Sequence, residues 1–164
     1  MTIFVKNKHT LQIDEFKFKC CIGKKGSTSN KKEGDKKTPK GTFEIENLYF
    51  REDRIKKPLT LLKCIKIKKD MGWCDDIIFP KKYNKLIKVE KKIRHEKLKR
   101  EDNKYDLLIP IKYNFKKPIA GMGSCIFLHL TKNYKPTAGC IALKENDFLI
   151  MLKLIKKNSK IRIF

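Results

Sequence analysis

The sequence predicts a mainly β fold with one helix in the C-terminal region, an α+β class. Three observations carry this. Apolar and polar residues alternate with period two through most of the chain, from Ile3 and Val5 to Ile109 and Ile111. The period changes once, after Leu143, where Phe148, Met151, Leu152 and Ile155 fall at i, i+3, i+4, i+7. Polar stretches containing glycine and proline separate the runs. A length of 164 residues predicts one domain over 1–164, with enough chain for a core without disulfides or metals.

In chain order, residues 2–6 and 10–22 alternate and read as strands, with Asn7-Lys8 turning the first hairpin. Gly23 to Gly41 is too polar for core and reads as a surface loop. It is either a mobile hairpin connection or the border of a substrate cleft. Its end, Thr38-Pro39-Lys40-Gly41, suits a type I turn. Thr42 to Phe50 and Leu61 to Ile67 read as strands. Asp70 to Pro80 holds the sole tryptophan, Trp73. Its Cys74, Asp75 and Asp76 lack a nearby His and make a poor zinc set, so no metal is expected, and the aspartates are expected to bond turn amides. Tyr83 to Val89 predicts a short strand, and the polar His95 to Lys104 a helical turn or loop. Tyr105 to Tyr113 is strand-like, with Asn114 at its end. A loop through Gly121 and Gly123 then leads to an apolar strand, Cys125 to Leu128, that ends at His129. In the following helix Glu145 and Asp147 sit in the first turn and Lys153 near the last, each favourable for the helix dipole. Ile161 and Ile163 predict a closing strand.

The net charge of +23 raises the question of nucleic acid. Of the basic residues 36 are Lys and only 5 are Arg, the better reader of phosphates and bases, and the lysines are spread along the chain. No nucleic-acid partner is therefore expected. The alternative, a non-catalytic basic module gripping an anionic polymer such as a cell-wall glycan or nucleic acid, predicts steeply salt-dependent binding. The six cysteines form no C-x-x-C pair and no regular framework, which predicts buried free thiols. No signal-peptide pattern and no long apolar run is visible, so no transmembrane segment is expected.

The chemistry concentrates in Ser124 to Leu143. A cysteine attacks carbonyls as a thiolate and needs a neighbour, usually His, to take its proton. His129 ends one apolar strand and Cys140 begins the next apolar run, after the small-residue turn Thr137-Ala138-Gly139. Gly139 permits close backbone or substrate approach, and amides of this turn could hold an oxyanion. Cys125 is the rival nucleophile, expected on the strand face of Phe127 and His129. His95 is the rival base, and His9 a near-terminal turn residue. A catalytic Cys140 is expected to react first with a limiting dose of iodoacetamide near neutral pH.

These residues sit in an ordered set of short motifs: Gly34-Asp35 with Thr38-Pro39 and Gly41; Gly72 to Asp76; Tyr83-Asn84; His95-Glu96; Tyr105-Asp106; Phe127-Leu128-His129; and Pro136 to Leu143. In that order, over about residues 20–155, the chain resembles a compact branch of the L,D-transpeptidase catalytic domain family (YkuD-type). The resemblance implies an L,D-transpeptidase-like β-sandwich or barrel, with Cys140 as nucleophile, His129 as base oriented by a backbone carbonyl, and Gly139 in the catalytic turn. It implies acyl transfer from peptidoglycan stem peptides as partners, no cofactor, and a periplasmic or cell-envelope location. The alternative, motivated by the missing signal-peptide pattern, is a thiol acyltransferase acting on a non-cell-wall peptide in the cytoplasm. A monomer is expected. Two positions depart from the usual motif: Ala138 replaces a second His, and Ala142 replaces an Arg expected to meet substrate anions. Substrate-binding candidates are Asn114, Thr137 and Arg51, with Lys36 also cationic nearby.

Overall fold

The computed structural model describes residues 1–164. The chain opens with β1 (Thr2–Lys6), β2 (Thr10–Ile13) and β3 (Phe16–Lys19), followed by β4 (Ser27–Thr28), β5 (Thr38–Pro39), β6 (Gly41–Glu44) and β7 (Leu48–Phe50). The middle holds β8 (Cys64–Lys66), β9 (Met71–Cys74), β10 (Leu86–Lys88) and β11 (His95–Lys97). It ends with β12 (Leu107–Pro110), β13 (Phe127–Leu130), β14 (Ile141–Leu143), α1 (Glu145–Leu154) and β15 (Lys160–Ile163). The mainly β class with one C-terminal-region helix is what the periodicity predicts.

Two five-stranded sheets form the body. One has the order β3-β2-β1-β15-β6, the other β14-β13-β12-β7-β8. Their inner faces share a core of 25 buried residues, among them Ile3 and Val5 from β1, Ile161 and Ile163 from β15, and Leu128 and Leu130 from β13. The helix adds Phe148, Met151 and Leu152, the stripe its spacing predicts. The second sheet is also covered on its other face. There a core of eight buried residues gathers Phe127, Leu108 and Tyr49 against Trp73, Tyr105 and Leu98. Trp73 comes from a third sheet, β10-β9-β11, and meets the Phe127 ring edge to face at 5.4 Å. Burial on both faces explains why β13 reads as a continuous apolar run rather than an alternating one.

Several expected elements differ. The run 10–22 breaks at Asp14, which takes φ 50°, so β2 and β3 form a hairpin. The run 42–50 breaks after Glu44, and Leu61 is exposed outside its strand. Thr38-Pro39 is not a type I turn. It pairs in parallel with Ser27-Thr28, and Thr38 is fully buried, so the polar 23–41 segment contributes interior residues. Residues 95–97 form β11 rather than a turn, with Glu96 paired to Trp73. Their charged composition hides the strand, which is set by the pairing of His95, Glu96 and Lys97 with Cys74, Trp73 and Gly72. No helix is long and apolar enough to cross a membrane.

Candidate active site

The alternation of β13 sets the site. Leu128 and Leu130 point into the main core, so Phe127 and His129 point to the opposite face. β14 runs parallel to β13 with Leu128 opposite Ile141 and His129 opposite Ala142. Cys140, one residue before β14, therefore lies on the side of Phe127 and His129. Both line one cleft of about 690 Å³.

His129 is 5% exposed, and its Nδ1 lies 2.8 Å from the carbonyl oxygen of Leu130. A carbonyl only accepts, so Nδ1 carries the proton and Nε2 the lone pair. Burial, seconded by the Lys104 and Arg100 charges, pushes the imidazole down to about 4, against the smaller opposing effect of the Leu130 carbonyl. It is a neutral ring with a free basic nitrogen at ordinary pH. Cys140 is 9% exposed, and its Sγ donates to the carbonyl of Cys125 at 3.1 Å. Burial pushes its thiol up to about 12, and the Phe127 amide offsets part of this. No hydrogen bond joins Cys140 to His129 in this resting arrangement. The thiol is neutral, and taking its proton requires it to turn from Cys125 towards His129.

The turn before Cys140 is tied from two sides. Thr137 Oγ1 accepts the Gly139 N–H at 3.1 Å and donates to the Cys140 carbonyl at 2.6 Å. Thr38 Oγ1 donates to the Gly139 carbonyl at 2.8 Å and accepts the Gly23 N–H at 2.9 Å. Gly139 has φ +147°, and a Cβ there would stand 2.9 Å from the carbonyl oxygen of Lys37, so only glycine fits. The Cys140 N–H has no partner among the protein's hydrogen bonds and is free to meet a developing oxyanion.

Cys125 lies outside β13 with φ 53°, not on the strand as expected. Asn84 holds it there: its Oδ1 accepts from the Cys125 N–H at 3.2 Å and from Trp73 Nε1 at 3.0 Å. Asn84 is thus a positioning residue two steps from the thiol. Its signal in the sequence was only its place in the Tyr83-Asn84 motif.

Of the substrate-binding candidates, Thr137 and Lys36 border the cleft. Arg51 does not reach it. Arg51 is buried, its Nε and Nη2 each 2.8 Å from Asp53 and its Nη1 2.6 Å from the Arg100 carbonyl, so its guanidinium is committed to structure. Asn114 also lies away. It takes φ 48°, and its side chain bonds Ile119 and Gly123 within its own loop. His95 lies outside the cleft lining, with Nδ1 on the Ile93 carbonyl. The cleft instead recruits Lys31, Arg100, Lys104, Lys132 and Lys135 as cations, and Glu96 and Tyr105 as polar neighbours. These come from polar loops and from β11, where no periodic pattern marks them. Ala142 is fully buried opposite His129, so the position of the expected Arg offers no charge.

The protein-family model described as YkuD, the L,D-transpeptidase catalytic domain, matches residues 1–163. No curated protein matches the chain. Among solved structures, that of Bd1075 from Bdellovibrio bacteriovorus is similar at 17% identity and TM-score 0.47, over 99% of this chain and 47% of that one. The chain thus spans about half the length of that protein. The family match extends beyond the 20–155 stretch where the motifs lie and takes in both sheets of the fold. On that match the chain belongs to the YkuD family of L,D-transpeptidase catalytic domains.

Proposed function

We propose that this chain is a cysteine-dependent peptidoglycan L,D-transpeptidase, in which Cys140 is the nucleophile, His129 the general base and Gly139 the residue that shapes the catalytic turn. The observation that carries this reading is the placement of Cys140 and a neutral, carbonyl-oriented His129 on one cleft wall. His129 Nε2 takes the thiol proton as Sγ leaves the Cys125 carbonyl and attacks the carbonyl carbon of the third residue of a tetrapeptide stem. The oxyanion meets the free Cys140 N–H. The imidazolium then protonates the departing D-alanine amine, leaving a thioester on Cys140. An amine of a second stem takes the acyl group as a 3→3 cross-link; water gives L,D-carboxypeptidase activity instead. The exposed cations Lys36, Lys104, Lys132 and Lys135 bordering the cleft, in place of Arg51 and of the Arg missing at Ala142, would receive the substrate carboxylates.

The test is incubation of wild type and Cys140→Ala with defined tetrapeptide-stem muropeptides. D-alanine release by wild type and none by the variant is expected. A folded wild type that releases none would refute the reading.

A further inference from the structure

Four carboxylates border the Cys140 cleft: Glu33, Asp75, Glu96 and Asp102. Two are committed to arginine. Asp102 receives Nε and Nη2 of Arg100, each at 2.8 Å, and Asp75 receives Nε of Arg94 at 3.1 Å. Glu33 accepts from the hydroxyls of Tyr83 and Ser124. Glu96 differs in what it connects to. Its Oε2 accepts from the Tyr105 hydroxyl at 3.0 Å, with Arg100 Nη1 more distant at 3.7 Å. The Tyr105 ring in turn packs edge-on against the His129 imidazole, centroids 5.4 Å apart. A half-buried carboxylate is therefore joined to the reaction centre through a single phenol. After burial and the Phe127 amide, Glu96 is the first charge acting on the Cys140 thiol.

Acyl transfer to an amine leaves one proton without a home. A primary amine acceptor arrives near neutral pH as an ammonium. It loses one proton to become a nucleophile and a second when its nitrogen bonds to the thioester carbon. His129, neutral again after protonating the first leaving group, takes only one.

We propose that Glu96 is the acceptor-side base: it holds the incoming primary ammonium beside the Cys140 thioester and takes its first proton. This rests on the acyl-transfer reading above. The ammonium gives a proton to the Glu96 carboxylate, and the free amine attacks the thioester carbon. The C–N bond forms, the C–S bond breaks, and the second proton passes through His129 to the departing sulfur. Water as acceptor gives up a single proton, to His129, so hydrolysis does not use Glu96.

The readout is the ratio of amide product to hydrolysed product, measured by mass spectrometry, with total D-alanine release followed alongside. Glu96→Gln keeps the side-chain shape and an acceptor for Tyr105. With an ammonium acceptor its ratio is expected to fall on the order of 100-fold. Hydroxylamine, uncharged at neutral pH, is expected to restore the ratio to that of wild type. Glu96→Asp, which keeps the carboxylate, is expected to retain more of the ratio than Glu96→Gln and serves if the Gln variant does not fold. An unchanged ratio in Glu96→Gln, a deficit that hydroxylamine does not repair, or a shift in Glu33→Gln alone would overturn the assignment. Absence of D-alanine release by wild type is a separate outcome and would remove the acyl-transfer reading together with the role of Glu96.

Discussion

The Thr38 hydroxyl donates to the Gly139 carbonyl at 2.8 Å across 101 positions of sequence, and the same oxygen accepts the Gly23 N–H. Thr38 is fully buried, so water cannot replace it. Thr38→Val keeps the shape and removes both bonds. It is expected to cost about 1–3 kcal/mol in urea unfolding. D-alanine release by the folded fraction should also fall, because the turn that presents Cys140 loses its anchor. Unimpaired release would show that the turn holds itself.

Gly139→Ala puts a methyl group 2.9 Å from the Lys37 carbonyl at a φ of +147°. Strain of about 1–3 kcal/mol is expected. Turnover should fall on the order of 100-fold, since a small misplacement of a nucleophile is enough for that. Near-normal turnover in a folded variant would contradict the geometry.

His129 titrates at about 4, below its usual 6.5, because it is buried among cations. As pH falls the unfolded chain takes up this proton first. The contribution to stability is therefore full above the ordinary histidine value and is lost as pH falls towards 4. The gap corresponds to roughly 3 kcal/mol. Denaturant melts of wild type and His129→Asn should differ in pH dependence by about that amount between neutral pH and pH 4. The acid limb of kcat/KM should likewise fall well below the usual histidine range. A limb at the ordinary value would mean that the ring is solvated.

Cys140 is pushed up to about 12 by burial and is 9% exposed, whereas Cys64 is only partly buried. A limiting dose of iodoacetamide at neutral pH should label Cys64 before Cys140, read by peptide mapping. This reverses the order expected from the sequence, where a catalytic cysteine was taken as the fastest thiol. Labelling of Cys140 first would indicate a resident thiolate and a different activation from the one derived from His129.

Arg51→Met tests whether a buried guanidinium can also serve substrate. It leaves the Arg100 carbonyl without its 2.6 Å donor and should cost about 1–3 kcal/mol of stability. KM for the muropeptide should not change. A raised KM with unchanged stability would restore Arg51 to the binding role that its charge suggests.

What could be read from the sequence was what carries a period or a local signature. Ile3 and Val5, Leu107 and Ile109, and the stripe Phe148-Met151-Leu152 announced the sheets and the helix. That His129, Gly139 and Cys140 meet at one cleft was expected from the strand end and the small-residue turn that carry them. Arg100 and Lys104 stayed hidden, because a charged stretch looks alike whether it borders water or a cleft, and Glu96 was marked only by its place in the His95-Glu96 motif. Thr38 stood in the Thr38-Pro39 motif, but its contact was hidden for another reason: its partner Gly139 is distant in sequence, and no periodicity encodes a contact between a short strand and a turn. Arg51 and Asn114 were polar residues beside a strand end, and only the three-dimensional pairing with Asp53 or with the 114–123 loop shows that their bonds are already taken.

β15 lies between β1 and β6, with Thr2 opposite Lys160 and Val5 opposite Ile163. An interior member of the sheet under the main core is thus supplied by residues 160–163, and its parallel partner by residues 2–5, far earlier in the chain. Such distant pairing has a high contact order and slows folding. During translation the first hairpin must wait with an open edge until residues 160–163 have emerged. The shelf that presents Cys140 rests on that core, so catalytic competence should arrive late and in one step rather than accumulate as the chain grows.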